Sequence, residues 1–221
     1  MTTANPPVTL AKGSHDYDGT DDCPRCLFEA YNLIKRDVFT DDCPPGVSPV
    51  LHVFGVRLND CLPDDARQSL VRYLPNGSDP LDGTDSDGRD ETRSYMALDW
   101  LVRTYLPRFL DLSPLLAEHA DAVRGLERID SRARAELAGP AVAAAGAAAR
   151  DAARDAAGAA AGDAARDAAR DVARVAGTAA WDAARDAARD AASAVLNPVV
   201  IILQESALAL YDQMIKGTWN D

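Results

Sequence analysis

Between Ala141 and Leu196 the chain repeats a quartet, Asp-Ala-Ala-Arg, that starts at Asp151, Asp163, Asp167, Asp182 and Asp186, with Val172 replacing one alanine in the copy at Asp171. Alanine is the strongest helix former, so this tract predicts helix. A four-residue step on a helix of about 3.6 residues per turn drifts by roughly 40°, so the charged stripe of one unbroken rod, about 84 Å long, would spiral and leave no constant apolar seam. Breaks near Gly158 to Gly162 and at Gly177-Thr178 restore amphipathic pieces. The expectation is therefore a set of separate helices whose methyl faces pack closely, with Ala168 and Ala184 inside, Arg185 on the solvated stripe, and Val172, Val175 and Trp181 covering the ends. Asp precedes Arg by three residues in each quartet, worth about 0.2–0.5 kcal/mol per exposed pair.

The rest of the chain also reads as helix. Pro24 or Arg25 opens a helix to about Arg36 with Leu27, Phe28, Tyr31 and Ile34 on one face, and Ser48-Pro49 caps a strongly apolar one that runs to about Asn59. Pro63 starts a third that Pro75 stops; after a long loop a fourth runs from about Glu91 to Leu106, with Tyr95, Trp100 and Tyr105 as aromatic core candidates. Ser113-Pro114 begins a helix that Gly125 closes, a short helix covers about Glu127 to Leu137, and Asn197-Pro198 caps the last, ending before Gly217. No period-two strand pattern is present. The predicted class is all-α, a multi-helix bundle. Its expected divisions are a disordered acidic tail over 1–22, a helical head over 23–138, and an alanine-rich region over 139–221 packed on the head.

Charge narrows the function classes. The net charge is −12, with 18 acids against 9 bases in residues 1–100 and 17 against 14 in the remainder. Such a surface repels phosphate backbones, and no basic patch interleaved with aromatics offsets it, so nucleic-acid binding is disfavoured. A basic protein partner or simple solvation fits better. No apolar run approaches the length of a membrane span, and the first residues lack a basic stretch followed by an apolar one, so a cytoplasmic protein is expected.

Few residues suggest chemistry. Cys23, Cys26, Cys43 and Cys61 carry the spacing C-x2-C-x16-C-x17-C, and Cys23-Pro-Arg-Cys26 has the form of a zinc knuckle. Four thiolates could close a tetrahedral zinc site; a Cys26–Cys43 disulfide and plain free thiols are the alternatives. His52 sits on the most apolar helix, where it is either a packed histidine or a general base working with Asp60 or Asp99 in a small hydrolytic enzyme. His119 lies between charged neighbours on a surface helix. The acids Asp79, Asp82, Asp85, Asp87 and Asp90 suggest calcium, but an EF-hand register set on Gly88 places Gly83 and Ser94 where aspartate and glutamate are needed. No phosphate loop, nucleophile elbow or dinucleotide fingerprint occurs.

The segments Cys26-Leu-Phe-Glu-Ala-Tyr, Cys43-Pro-Pro-Gly-Val-Ser-Pro-Val-Leu, Asn59-Asp-Cys-Leu-Pro-Asp-Asp-Ala-Arg and Ala97-Leu-Asp-Trp-Leu-Val-Arg-Thr-Tyr-Leu-Pro resemble an uncharacterised group of actinobacterial and actinophage proteins with an alanine-rich C-terminal helical region. The resemblance covers roughly residues 23–130. It implies a bacterial or phage origin and supplies no catalytic residue. A looser likeness links the chain to helical, alanine-rich immunity proteins that bind bacterial toxins. The tract itself is similar to type I antifreeze helices and to desiccation proteins, but Thr178 is its only threonine, where an ice-binding face needs a ladder, and its bases are arginine where desiccation repeats use lysine. Taken together, these features point to a non-enzymatic helical scaffold or interaction protein, binding a protein partner or itself.

Overall fold

The computed structural model describes residues 8–20, 23–171 and 178–219, and side chains outside 156–195. It is all-α. The helices are α1 (Leu27–Arg36), α2 (Pro49–Cys61), α3 (Asp64–Arg67), α4 (Asp90–Trp100), α5 (Leu106–Leu110), α6 (Ala117–Arg124), α7 (Arg132–Asp171) and α8 (Thr178–Lys216). Among the described residues the β content is a single parallel bridge between Leu10 and Arg25. Two compact units result, one made of Met1–Ala97 with Gln204–Asp221, the other of Leu98–Leu203. The divisions between these units fall within α4 and α8. A jump in alanine content marks a change in side-chain size, which need not coincide with a change of core.

In the first unit, α1 starts where Cys26 accepts the Glu29 N–H at its sulfur and Glu29 returns a bond to the Cys26 N–H, a reciprocal capping box. Ser48 caps α2 by accepting from the amides of Val50 and Leu51, with Pro49 in the first turn, as the sequence predicts. The expected third helix shortens to α3 and continues as a 3₁₀ segment, Gln68–Tyr73. Leu27, Phe28, Tyr31, Leu51, Leu70 and Met96 are almost wholly buried, and the last turns of α8 add Tyr211 and Met214 to the same core. Gly217 ends α8 at φ +62, its N–H bonding Met214 O while the Thr218 N–H reaches Gln213 O.

Gly55 is where α2 meets this core most closely. A Cβ there would lie 2.7 Å from the Tyr211 hydroxyl and 2.9 Å from Phe28 Cε2. Gly→Ala inside a helix ordinarily gains about 0.5–1 kcal/mol, but forcing a methyl into a filled core costs about 1–3 kcal/mol. The packing term wins, so Gly55→Ala should lower stability by about 1–2 kcal/mol in a urea melt. A more stable variant would show that α2 and α8 have room to part.

In the second unit the helix begun as α4 does not stop before Pro107. It widens over Leu101–Tyr105, where the Leu106 N–H donates to Leu101 O, and resumes as α5. Proline has no N–H to bond the carbonyl four residues back, and a wide turn just before it absorbs the mismatch. The aromatic core expected on this helix is corrected too: Arg93, Met96 and Val102 are its buried residues, whereas Trp100 is half-buried and Tyr105 is exposed. Leu110, Leu116, Ala120, Val123 and Ala145 form a core, with Ala141, Ala148, Ala149 and Ala152 packed against it. Close packing of alanine methyls thus holds for the first part of the tract, where small side chains let α7 approach α6. Ser113 makes no side-chain cap bond, and the turn after it is 3₁₀, Pro114–Leu116.

The tract's expected breaks require correction. The helix α7 begins at Arg132 and runs through Gly139, Pro140, Gly146, Gly158 and Gly162, and α8 runs through Asn197-Pro198. An interior proline costs about 3 kcal/mol and each glycine about 1 kcal/mol relative to alanine; the many alanines of α7 offset this there, whereas Pro198 lies between Asn197 and Val199 and its local neighbours do not explain the continuity of α8. The break expected at Gly177 falls in 172–177, and Ala168, Ala184, Arg185 and Trp181 fall in 156–195; these expectations lie outside the described residues. Nor is the N-terminus a free tail throughout. Leu10 is buried at 2% exposure, and residues 10–15 bond to the helices of the first unit.

Candidate functional site

The four cysteines are free thiols, each spent separately. Cys23 is buried and its sulfur donates to Asp16 O at 3.3 Å, while Cys26 caps α1. Cys43 is exposed, with its sulfur 3.4 Å from Val47 O, and Cys61 is exposed at the end of α2. Burial pushes the Cys26 thiol up to about 12, with the Glu29 charge adding to the effect. Among the described residues no three His, Cys, Asp or Glu side chains gather as a metal-binding group.

The residues weighed for hydrolysis are also occupied. His52 Nε2 lies 2.7 Å from Asp41 O, and its ring packs edge-on against Phe28 at 4.5 Å between centroids. Asp60 accepts from the Gly13 N–H and from the Asn59 side chain. Asp99 belongs to the second unit, where it takes the Ile129 N–H at 2.7 Å and pairs with Arg103. The imidazole and the two carboxylates thus each hold different partners. His119 is half-buried on α6.

The acidic loop before α4 is bound up in the same way. Asp79 accepts the Tyr31 hydroxyl and pairs with Lys35, which also meets Asp82, and Asp85 takes the Gly46 N–H. Ser48 donates to Asp90. Arg93 gathers the remainder. Its side chain is 0% exposed, and its guanidinium forks onto both oxygens of Asp87, reaches Asp90, and donates to Thr84 O and Met214 O. The Arg93 hydrogen bond holds the Asp87 carboxyl below the ordinary range, more than offsetting its partial burial. These carboxylates lock a loop in place, which accounts for their density.

Comparison of the chain with protein-family models, curated proteins and solved structures finds no match.

What the described surface does offer is apolar. Leu101, Tyr105 and Phe109 are 48%, 40% and 48% exposed and recur at every fourth residue along the widened α4–α5 helix. The wide turn keeps them in one line. Arg108 lies exposed beside them. On α8, Leu196, Val200, Ile201 and Ile202 are exposed as well. No helix among the described residues is long and apolar enough to cross a membrane.

One polar group escaped sequence reading. Glu29 is 1% exposed, and its carboxylate accepts from the His15 and Cys26 amides, the Ser14 hydroxyl and the His15 ring. Burial works against its charge, yet these donors hold it below the usual carboxylate range. A helix expected to open at Pro24 or Arg25 hides the Cys26 cap, since α1 in fact starts at Leu27; His15, fourteen residues from Glu29 in an irregular segment, carries no periodic signal.

Proposed function

We propose that the chain is a non-enzymatic helical interaction protein whose second unit docks an apolar helix of a partner along Leu101, Tyr105 and Phe109. The observation that carries this reading is the exposure of three large apolar side chains in one row. Aromatic residues with a neighbouring arginine are the side chains that most often supply binding energy at protein interfaces. A row at helical spacing suits a second helix laid along it. The occupied state of His52, Asp60 and Asp99 weighs against the hydrolytic alternative.

A photo-reactive side chain at Tyr105, activated in the expressing cell, should give one dominant crosslinked product, a defined partner or a second copy. Adding Leu101→Asp should abolish that product while moving stability by no more than about 0.5 kcal/mol, since the site is exposed. A product no stronger than from the same group at exposed Glu118 would refute the docking row.

A further inference from the structure

The segment from Leu10 to His15 lies on the first unit as a bound peptide would. Gln68 forms a two-way amide pair with the Leu10 backbone, its Oε1 accepting from the N–H and its Nε2 donating to the carbonyl, both at 2.9 Å. The Ala11 N–H donates to Arg25 O at 2.8 Å, and Asn59 Nδ2 donates to Ala11 O at 2.9 Å. Further along, Asp60 takes the Gly13 N–H at 2.9 Å and Glu29 takes the His15 N–H at 2.7 Å. Side chains from α1, α2 and the 3₁₀ segment thus read a main chain that lies outside any helix. Leu10 is the buried anchor, Lys12 is exposed, and the Ser14 hydroxyl donates to Glu29. Main-chain bonds with one apolar pocket are how extended peptides are recognised.

Charge sets the class of ligand. Residues 8–15 carry Lys12 and His15 and no acid, although 16–22 carry four aspartates. The first unit, by sequence, holds 20 acids against 10 bases. The groove therefore holds the one cationic stretch of an acidic N-terminus.

We infer that Arg25, Glu29, Asn59, Asp60 and Gln68 form a binding groove for an extended, cationic, leucine-anchored segment of another protein, occupied here in cis by Leu10–His15. This site is separate from the docking row on the second unit and does not depend on it. The cis segment acts as a competitor. Its short tether gives it an effective concentration in the millimolar range, so a partner segment enters only when the cis contact is weakened or the partner is abundant.

The test uses the full chain and a fluorescein-labelled peptide with the sequence of residues 8–15. Fluorescence anisotropy should show at least tenfold tighter binding to the Leu10→Ala chain than to the unaltered one, because the competitor has lost its anchor. Adding Gln68→Ala to Leu10→Ala should remove that gain, and a peptide with Glu in place of Lys12 should bind several-fold more weakly, by less at high salt. A second arm covers the case in which Leu10→Ala does not fold. A protease site introduced at Gly19 of the otherwise unaltered chain is cut, and the labelled peptide should then exchange into the groove. Absence of binding in both arms at millimolar peptide overturns the inference. So does a dimer, seen by sedimentation, in which two copies exchange this segment and foreign peptide is excluded.

Discussion

Arg93→Ala is expected to cost about 3–5 kcal/mol of folding stability, read as a lower urea midpoint. The magnitude follows from what the guanidinium does. It is fully buried and bonds two main-chain carbonyls, Thr84 O and Met214 O, and two carboxylates. Asp87 and Asp90 keep 26% and 40% of their side-chain surface, so they can turn to water when the arginine goes. The heavier losses are a carbonyl left unpaired, about 1–3 kcal/mol, and the cavity left by a long side chain. Arg93→Lys should recover only part of this, since an ammonium cannot fork onto Asp87 while reaching two carbonyls. The pH dependence carries a signature of its own. Asp87 is held below its unfolded value near 3.9, so its contribution is present above that value and is lost as pH falls through the folded pKa. The Arg93→Ala chain should therefore have a flatter stability profile on acidification. A loss under about 1 kcal/mol would mean that the loop is held without Arg93.

Tyr211→Ala should be comparably severe, about 3–5 kcal/mol. Tyr211 is 0% exposed, stacks on Phe54 at 5.9 Å and meets Tyr73 edge-on at 5.0 Å between centroids. Tyr211→Phe keeps the ring and loses only the bond from the hydroxyl to Leu51 O, at 3.2 Å, a difference of about 1 kcal/mol. The hydroxyl is also the atom nearest a new Cβ at residue 55. Tyr211→Phe should therefore relieve part of the Gly55→Ala penalty, and a double-mutant cycle by urea melt reads that coupling directly. Strict additivity would place the crowding on Phe28 and the Tyr211 ring, with no share for the hydroxyl.

Much of the fold was legible because its signals are local. Ser48-Pro49 opens α2 as a cap and a first-turn proline should, and the apolar spacing of Leu27, Phe28 and Tyr31 marks the buried face of α1. The errors share one cause. Pro107, Pro140 and Pro198 each read as punctuation in sequence, but each lies inside helix, where the rest of the ladder outweighs one lost bond and, at Pro107, a wide turn takes up the strain. The site residues were less legible. The cysteine spacing suggested zinc, yet spacing says nothing of where the sulfurs point, and Cys26 caps its own helix. The acids of the loop showed their density in sequence but not their common partner, because Arg93 reaches both back to Thr84 and forward to Met214.

The interleaved order of the two units sets a schedule for synthesis. The core of the first unit needs Tyr211 and Met214, which follow residue 97 by more than a hundred positions, whereas the second unit is one continuous stretch. At roughly 5–20 residues per second, the ribosome delivers the closing helix on the order of 5–20 s after residue 97 has emerged. During that interval the second unit can fold to completion while the first waits with its aromatic core open. The nascent chain is therefore most exposed to chaperones and proteases within residues 8–97, and the last turns of α8 complete a core begun more than a hundred positions earlier.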